Sequence, residues 1–340
     1  MAGELEAVRR RIRRLSHLAG TQEVMRANAA LREVWESGSR PSHVLVRRAL
    51  LAAASTDAPP PLYTTLLNPR GIALRFYLIA LFEAQCRLRR GKPWESQRPL
   101  EGRRGWTNFV AVDAAYSSVT ETYLPETKQQ RDTQSSRLRQ VQGALRTLRG
   151  TDDLDVSEDR LPRALVTLPR KGKRRAFDYG AFSLMRETGR GPAHTPEVYA
   201  VPQAGISIPA GFFLNGWAQV LTPAEVATWL VLRTLRYDHP DQHDESGVYL
   251  YANRREGEFG LKRDSYQDSC RTLWHFGLLQ LPGVDTFEAL FADRSTADPY
   301  EPHRFQLADG GVAKNAVDKI TKELVLRHRN LGNRADTKTA

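Results

Sequence analysis

Five of the six residues from 170 to 175 are basic, and this run stands between two short stretches typical of β-strands. Residues 164–168 are apolar, and residues 176–182 carry apolar side chains at alternate positions. A glycine within the basic run allows a tight turn. The pattern predicts a hairpin whose tip contacts phosphates, with a solvated basic loop as the alternative. The candidate contacts are Arg170, Lys171, Lys173, Arg174 and Arg175.

Two predicted amphipathic helices carry basic and amide side chains opposite their apolar side. The first begins at residues 135–136, and the second spans about 263–275. Arginine and glutamine can hydrogen-bond the edges of guanine and adenine in pairs. These faces are therefore candidates for reading DNA sequence, and ordinary solvated helix faces are the alternative. The candidate residues are Arg137, Arg139, Gln140, Arg146, Lys262, Arg263, Ser265, Gln267 and Arg271.

Patterns for catalysis or metal binding are weaker. His239 and His243 lie near several acids, but the proline between them and their polar neighbours favour a surface loop. The acidic cluster at 152–159 has no partner motif for a two-metal nuclease, and the histidine pair of a nicking replication enzyme is missing. Neither a GxGxxG nor a GxxxxGK[ST] motif occurs. The sequence therefore predicts no catalytic residue, no metal, no cofactor and no enzymatic activity.

The composition favours a polyanionic partner. The chain has 340 residues, with 50 Lys and Arg against 39 Asp and Glu, and a net charge of +11. Its 41% hydrophobic and 26% charged residues are typical of a globular protein of two or three small domains. A basic excess of this size favours nucleic acid or an anionic membrane surface.

Membrane and redox signals point to a cytoplasmic protein. No run of about 18 uncharged apolar residues occurs, so no transmembrane helix is expected. Cys86 and Cys270 lie far apart in apolar stretches, which predicts neither a disulfide scaffold nor a structural zinc site. The arginine cluster at 9–14 lacks the apolar core of a signal peptide. It is interpreted as a solvated helix face, a DNA or partner contact, or a membrane-surface helix.

The chain divides into predicted units at loop-forming stretches. Residues 1–60 form a helical N-terminal region that ends at a proline-rich turn. Residues 61–190 form a first unit, in which Asn68 caps a core helix; a polar loop, the first amphipathic helix and the basic hairpin follow. A linker at 189–196 leads to a second unit at 197–330, and residues 331–340 are a flexible tail.

The second unit has a definite predicted order. A strand comes first, and Thr222 then begins a helix as its cap, with Pro223 in the first turn and Glu225 completing a capping box. The polar loop with the two histidines separates that helix from the next strand. The remaining elements are a short helix ended by Gly260, the second amphipathic helix capped by Asp264 and Gln267, a strand at 276–281, a return strand at 304–307 and a helix at 312–326.

This order resembles a winged helix-turn-helix. The segments that carry the resemblance are LTPAE at 221–225, FGL at 259–261 and WHFGLL at 274–279. Residues 68–186 repeat the same order of elements with additional segments between them, which indicates a tandem pair of winged-helix modules. With the segment 208–213 ahead of the second copy, the architecture resembles that of plasmid replication initiators. Transcription regulators share these modules.

The resemblance implies a mainly α fold with small β-hairpins (α+β), made of tandem winged helix-turn-helix modules and the helical N-terminal region. It implies a sequence-specific protein that binds double-stranded DNA and initiates replication of a plasmid or other mobile element. A transcriptional regulator is one alternative, and a winged-helix scaffold for protein contacts is another. We expect no membrane partner, a homodimer or multimer on repeated DNA sites, and a cytoplasmic, nucleoid-associated location.

Overall fold

The computed structural model describes most of the chain, but the side chains of residues 2, 116–117, 122–123 and 334–339 are outside the description. The described ranges are 2–55, 58–68, 71–94, 98–113, 116–117, 122–123, 133–150, 164–171, 176–188, 197–283 and 303–339.

The structure is mainly helical, with small antiparallel sheets. The helices are α1 (Ala2–Gly20), α2 (Glu23–Ser37), α3 (Ala73–Arg87), α4 (Thr133–Arg149), α5 (Gly211–Leu214), α6 (Trp217–Val220), α7 (Pro223–Asp238), α8 (Pro240–Ser246), α9 (Ala252–Gly257), α10 (Arg263–His275) and α11 (Ala316–Thr339). The strands are β1 (His43–Val46), β2 (Tyr116–Ser117), β3 (Thr122–Tyr123), β4 (Val166–Thr167), β5 (Arg170–Lys171), β6 (Ala176–Phe177), β7 (Ser183–Leu184), β8 (Ile206–Pro209), β9 (Leu279–Gln280) and β10 (Gln306–Leu307). The predicted α+β class is confirmed at this level.

The described strands pair two by two. The antiparallel pairs are β1 with β8, β2 with β3, β4 with β7, β5 with β6 and β9 with β10. Isolated bridges extend this pairing: Pro93 lies opposite Ala200, Met185 opposite Val198, and Val248 opposite Phe305. The return strand predicted near residue 304 is therefore confirmed.

The N-terminal region is not helical throughout. Helices α1 and α2 are present, but residues predicted to continue the helical pattern form β1. Val44 and Val46 are fully buried while His43 is exposed, which is the alternation of a strand with one face in the core. β1 is held by backbone pairing with β8, in which Val44 lies opposite Ile208.

The two ends of the chain lie together. α1 contacts α11, and Arg327 in the middle of α11 donates to Glu4 at 2.7 Å. Arg9 donates to His328 at 2.9 Å. α11 begins four residues later than predicted and continues to Thr339, into the range predicted as a tail. At least one arginine of the cluster in α1 therefore bonds another helix of the same chain.

Some local predictions are confirmed. Thr222 Oγ1 accepts from the Glu225 amide at 3.2 Å, and Glu225 Oε2 accepts from the Thr222 amide at 2.9 Å, which completes the capping box. Gly260 has a φ of +61°, and a Cβ there would lie 2.8 Å from Thr64 Cγ2. Only glycine fits this turn between α9 and α10 without strain or displacement of its neighbour.

Three local predictions are wrong. α3 begins at Ala73 with no side-chain cap, because the Asn68 carbonyl accepts from Gly71 in a separate turn. α10 begins after Lys262, and Asp264 and Gln267 form no capping pair. The supposed loop with the two histidines is α8, which has Pro240 in its first turn. The short helices α5 and α6 follow β8 and were not predicted.

An extended segment at 110–112 follows the 3₁₀ turn Trp106–Phe109 and is buried, and side chains satisfy the backbone of this segment and of Phe109. Gln219 of α6 donates to the Phe109 carbonyl at 2.9 Å and accepts from the Ala111 amide at 3.0 Å. Arg26 donates to the Val110 carbonyl at 2.7 Å. Glu23 accepts from the Val112 amide at 3.4 Å, and Arg75 donates to the Ala111 carbonyl at 3.2 Å. The segment thus gains strand-like pairing without a neighbouring strand.

Contacts cross both predicted unit boundaries. The rings of Phe82 in α3 and Phe213 in α5 have centroids 4.7 Å apart. The Tyr63 hydroxyl donates to the Phe259 carbonyl. Together with the β1–β8 pair, these contacts join the three predicted units into one continuous hydrophobic core. The division into units stays a prediction, and the linker at 189–196 lies outside the described residues.

Candidate nucleic-acid interface

α10 presents a mixed face of basic and polar side chains. Its core side is as predicted, because Tyr266, Cys270 and Leu273 are buried. At its N-terminal end Lys262 and Arg263 are exposed. The candidates Ser265 and Gln267 are half-exposed. The start of the helix therefore offers accessible donors.

Arg271, two turns further along α10, has a different environment. Its guanidinium lies close enough to Glu4 of α1 to contribute to a lowered pKa of that carboxyl, behind the hydrogen bond from Arg327. Arg271 is half-buried. The structure therefore places this predicted DNA contact beside the α1–α11 pair.

Short strands flank α10. The amide of Val248 donates to Phe305 and the amide of Phe305 donates back, at 2.9 and 2.8 Å. β9 continues from the end of α10 after Gly277, whose φ is +73°, and pairs with β10. The excursion between these strands, 284–302, lies outside the described residues.

His243 ties α8 to this strand group. Its Nε2 accepts from the Leu307 amide at 2.8 Å, so the proton sits on Nδ1, which lies 2.7 Å from an Asp244 oxygen. Both ring nitrogens are thus engaged within the protein. The described residues contain no group of three or more potential metal ligands.

The basic hairpin is present as the pair β5–β6, in which Arg170 lies opposite Phe177 and Lys171 opposite Ala176. Arg170 and Lys171 are exposed. The guanidinium of Arg170 lies 4.8 Å from the centre of the Phe177 ring, and that of Arg149 lies 4.4 Å from it. These cation–π contacts hold basic groups of α4 and the hairpin near one ring. The predicted contacts Lys173, Arg174 and Arg175 lie outside the described residues.

The four candidate contacts on α4 divide into two sets. Arg139 and Arg146 are exposed, and Gln140 is half-exposed. Arg137 instead donates to the buried Glu23 at 3.2 Å. Burial, and next the nearby Arg26, lower the pKa of Arg137. Its guanidinium is turned toward the protein, whereas the other three remain accessible.

A basic cluster that was not among the candidates lies at the end of α3. The sequence signal was a polar, arginine-rich connection with few acids, but nothing in it showed what the arginines would surround. We call this the α3 basic cluster. It consists of Arg87, Arg89, Arg90, Lys92, Arg98, Arg103 and Arg104.

Cysteine chemistry is not favoured at either thiol. Cys86 and Cys270 are both free and buried. Burial is the largest cause of the raised pKa of each thiol. A buried thiol with a raised pKa is a poor nucleophile.

Comparison with protein-family models, curated proteins and solved structures finds no match for this chain. Among the described helices, none combines the length and the apolar character that crossing a membrane requires.

Proposed function

We propose that this chain binds double-stranded DNA in a sequence-specific manner through α10. The order α7, α8, Val248, α9, α10, β9, β10 supports this proposal, with α8 as an additional short helix. Val248 pairs with Phe305, and β9 pairs with β10 in the same small group. This order and pairing resemble those of a winged helix-turn-helix, and in the proposal α10 takes the place of the recognition helix.

The exposed start of α10 suits this role. An α-helix with its side chains is about 10–12 Å across, which fits the major groove of B-DNA. The accessible residues Lys262, Arg263 and Gln267 carry donors that can contact phosphates or base edges. Arg271 has a smaller part in this proposal than its spacing predicted, since it lies near Glu4.

The proposal also includes a second winged-helix module, in the first predicted unit. α3, a 3₁₀ turn at Trp106–Phe109 and α4 precede the pairs β4–β7 and β5–β6. α4 exposes Arg139 and Arg146, and the hairpin exposes Arg170. Basic groups in both modules would neutralise phosphates on either side of the base contacts.

As the biological role we propose replication initiation on a plasmid or other mobile element, with transcription regulation as the alternative. Both roles place binding sites next to the protein's own gene, but an initiator binds a longer array of repeats. Footprinting that DNA tests the assignment. A single operator-sized footprint would favour the regulator, and no footprint at all would favour a scaffold that contacts protein.

We expect Arg263→Ala to cost about 1–3 kcal/mol on the specific DNA site and little on random DNA, because a lost base contact removes discrimination. Fluorescence anisotropy with both duplexes measures this difference. The control is Arg329→Ala, which removes an equally exposed arginine on α11. Equal losses on both duplexes would mean that Arg263 meets only phosphate, and α10 would lose its role in reading sequence.

We expect the double change Arg170→Ala and Lys171→Ala to weaken binding to every duplex alike. Each lost phosphate contact removes one released counterion, so the slope of log K against log salt should flatten by about 0.9 per contact. Titrations at several salt concentrations give the slope. If affinity and slope stay those of the parent protein, the hairpin is not part of the interface.

A further inference from the structure

A cavity of about 350 Å³ lies between α2, α3 and the segment from 98 to 109. Its basic side is formed by four members of the α3 basic cluster: Arg87, Arg98, Arg103 and Arg104. Against these four cations the lining contains two carboxylates, Glu33 and Glu83. The described lining therefore carries a net positive charge in a concave site of the size that small molecules occupy.

The inner pair of arginines is held in place by a buried acid. Glu83 is fully buried, and its Oε1 accepts from Arg87 Nε at 3.1 Å and from Arg98 Nε at 2.8 Å. Arg98 Nη1 donates to the Arg104 carbonyl at 3.4 Å, so this arginine is held at two points. The Arg98 guanidinium also lies 5.2 Å from the centre of the Phe109 ring. A site whose cations are already oriented binds an anion with less loss of side-chain entropy.

The outer pair of arginines is weakly engaged. Arg103 and Arg104 are exposed, and Arg104 Nε lies 3.8 Å from Oε1 of the exposed Glu33. An ion pair of this kind between exposed side chains contributes little stability. The Arg103 carbonyl accepts from Asn108 Nδ2 at 2.8 Å, but its guanidinium has no hydrogen bond or ion pair within the part of the chain that the structure describes. These two guanidinium groups can therefore turn toward a bound anion at small cost.

Part of the cavity lining is apolar. It consists of Ala30 and Val34 of α2, Pro99 and the ring of Phe109, which lies next to Arg98. An inorganic ion alone would leave this apolar part uncovered. The cavity thus combines guanidinium groups, which match the oxygens of a phosphate in pairs, with a surface for an uncharged organic part.

We propose that this cavity binds a phosphate ester of about mononucleotide size, with the phosphate at Arg98, Arg103 and Arg104. The organic part lies against Val34 and Pro99. This site is separate from α10 and from the β5–β6 hairpin, and the proposal does not rest on DNA binding.

Isothermal titration of the full chain with AMP, inorganic phosphate and adenosine tests the site. We expect AMP to bind more tightly than phosphate, and adenosine to show no binding at low millimolar concentration. The double change Arg103→Ala and Arg104→Ala should weaken AMP binding by about tenfold or more, since two charge-assisted contacts are lost. Both residues are exposed, so the variant should fold, and its circular dichroism spectrum checks this.

The matched control is Arg89→Ala with Arg90→Ala. These two exposed arginines belong to the same basic cluster and carry the same charge, but they do not line this cavity. We expect AMP affinity to change less than twofold. Equal losses in the two variants, or no binding of either AMP or phosphate, would overturn the proposal. So would a matching loss of duplex DNA affinity in the Arg103 and Arg104 variant, which would assign these arginines to the DNA backbone.

Discussion

Replacing Glu23 by alanine should destabilise the protein by about 3–5 kcal/mol, the range found when one partner of a buried ion pair is removed. Glu23 is buried, and it accepts from Arg26 Nη2 at 3.0 Å and from Arg137 at 3.2 Å. Its second role is to accept from the Val112 amide. The substitution leaves two poorly hydrated guanidinium groups facing each other, together with an unpaired amide. Urea unfolding followed by circular dichroism measures the change.

Glu36→Ala is the control for this measurement. Glu36 is exposed on the same helix, and its side chain bonds no residue that the structure describes; its backbone carbonyl accepts from Arg40. Removing it should change the free energy of unfolding by less than about 0.5 kcal/mol, as for most surface positions. If Glu23→Ala were equally mild, Arg26 and Arg137 would have to be solvated by rearrangement. Arg137 would then be available again as a candidate DNA contact.

The sequence predicts elements whose signals are local. The capping box of Thr222 and Glu225 needs only four neighbouring residues, and the turn at Gly260 needs one backbone conformation that glycine favours. β1 was mistaken for part of a helix because its partner, β8, is far away in the chain. Short apolar runs fit either a helix or a strand, and tertiary pairing decides between them.

The candidate interface was predictable in outline but not residue by residue. Periodicity correctly places Tyr266, Cys270 and Leu273 in the core and leaves Arg263 outside. It cannot show that Arg137 faces Glu23, because that carboxylate belongs to α2. In the same way, the sequence shows that the connection after α3 is rich in arginine and therefore basic. The cavity arises only when α2 lies against it.

The second large effect is expected at Gln219, because this one side chain of α6 bonds the backbone on both sides of Val110. The amide of Gln219 is fully buried, and its two hydrogen bonds to Phe109 and Ala111 reproduce those of a neighbouring strand. Gln219→Leu keeps much of the volume but leaves a buried carbonyl and a buried amide without partners. Each of these two unpaired groups costs about 1–3 kcal/mol, so we expect a total loss of about 2–6 kcal/mol.

Thermal and urea unfolding measure this loss of stability. Gln242→Leu is the control, because it gives the general cost of replacing an amide side chain by leucine. Gln242 is half-exposed on α8, and within the described structure its side chain has no hydrogen bond, so its replacement should be nearly neutral. Because the lost bonds join α6 to a segment held also by α2 and α3, the variant should unfold in one cooperative step at a lower urea concentration. A variant as stable as the parent would mean that other groups satisfy the Ala111 amide and the Phe109 carbonyl, and the strand-like role of Gln219 would be wrong.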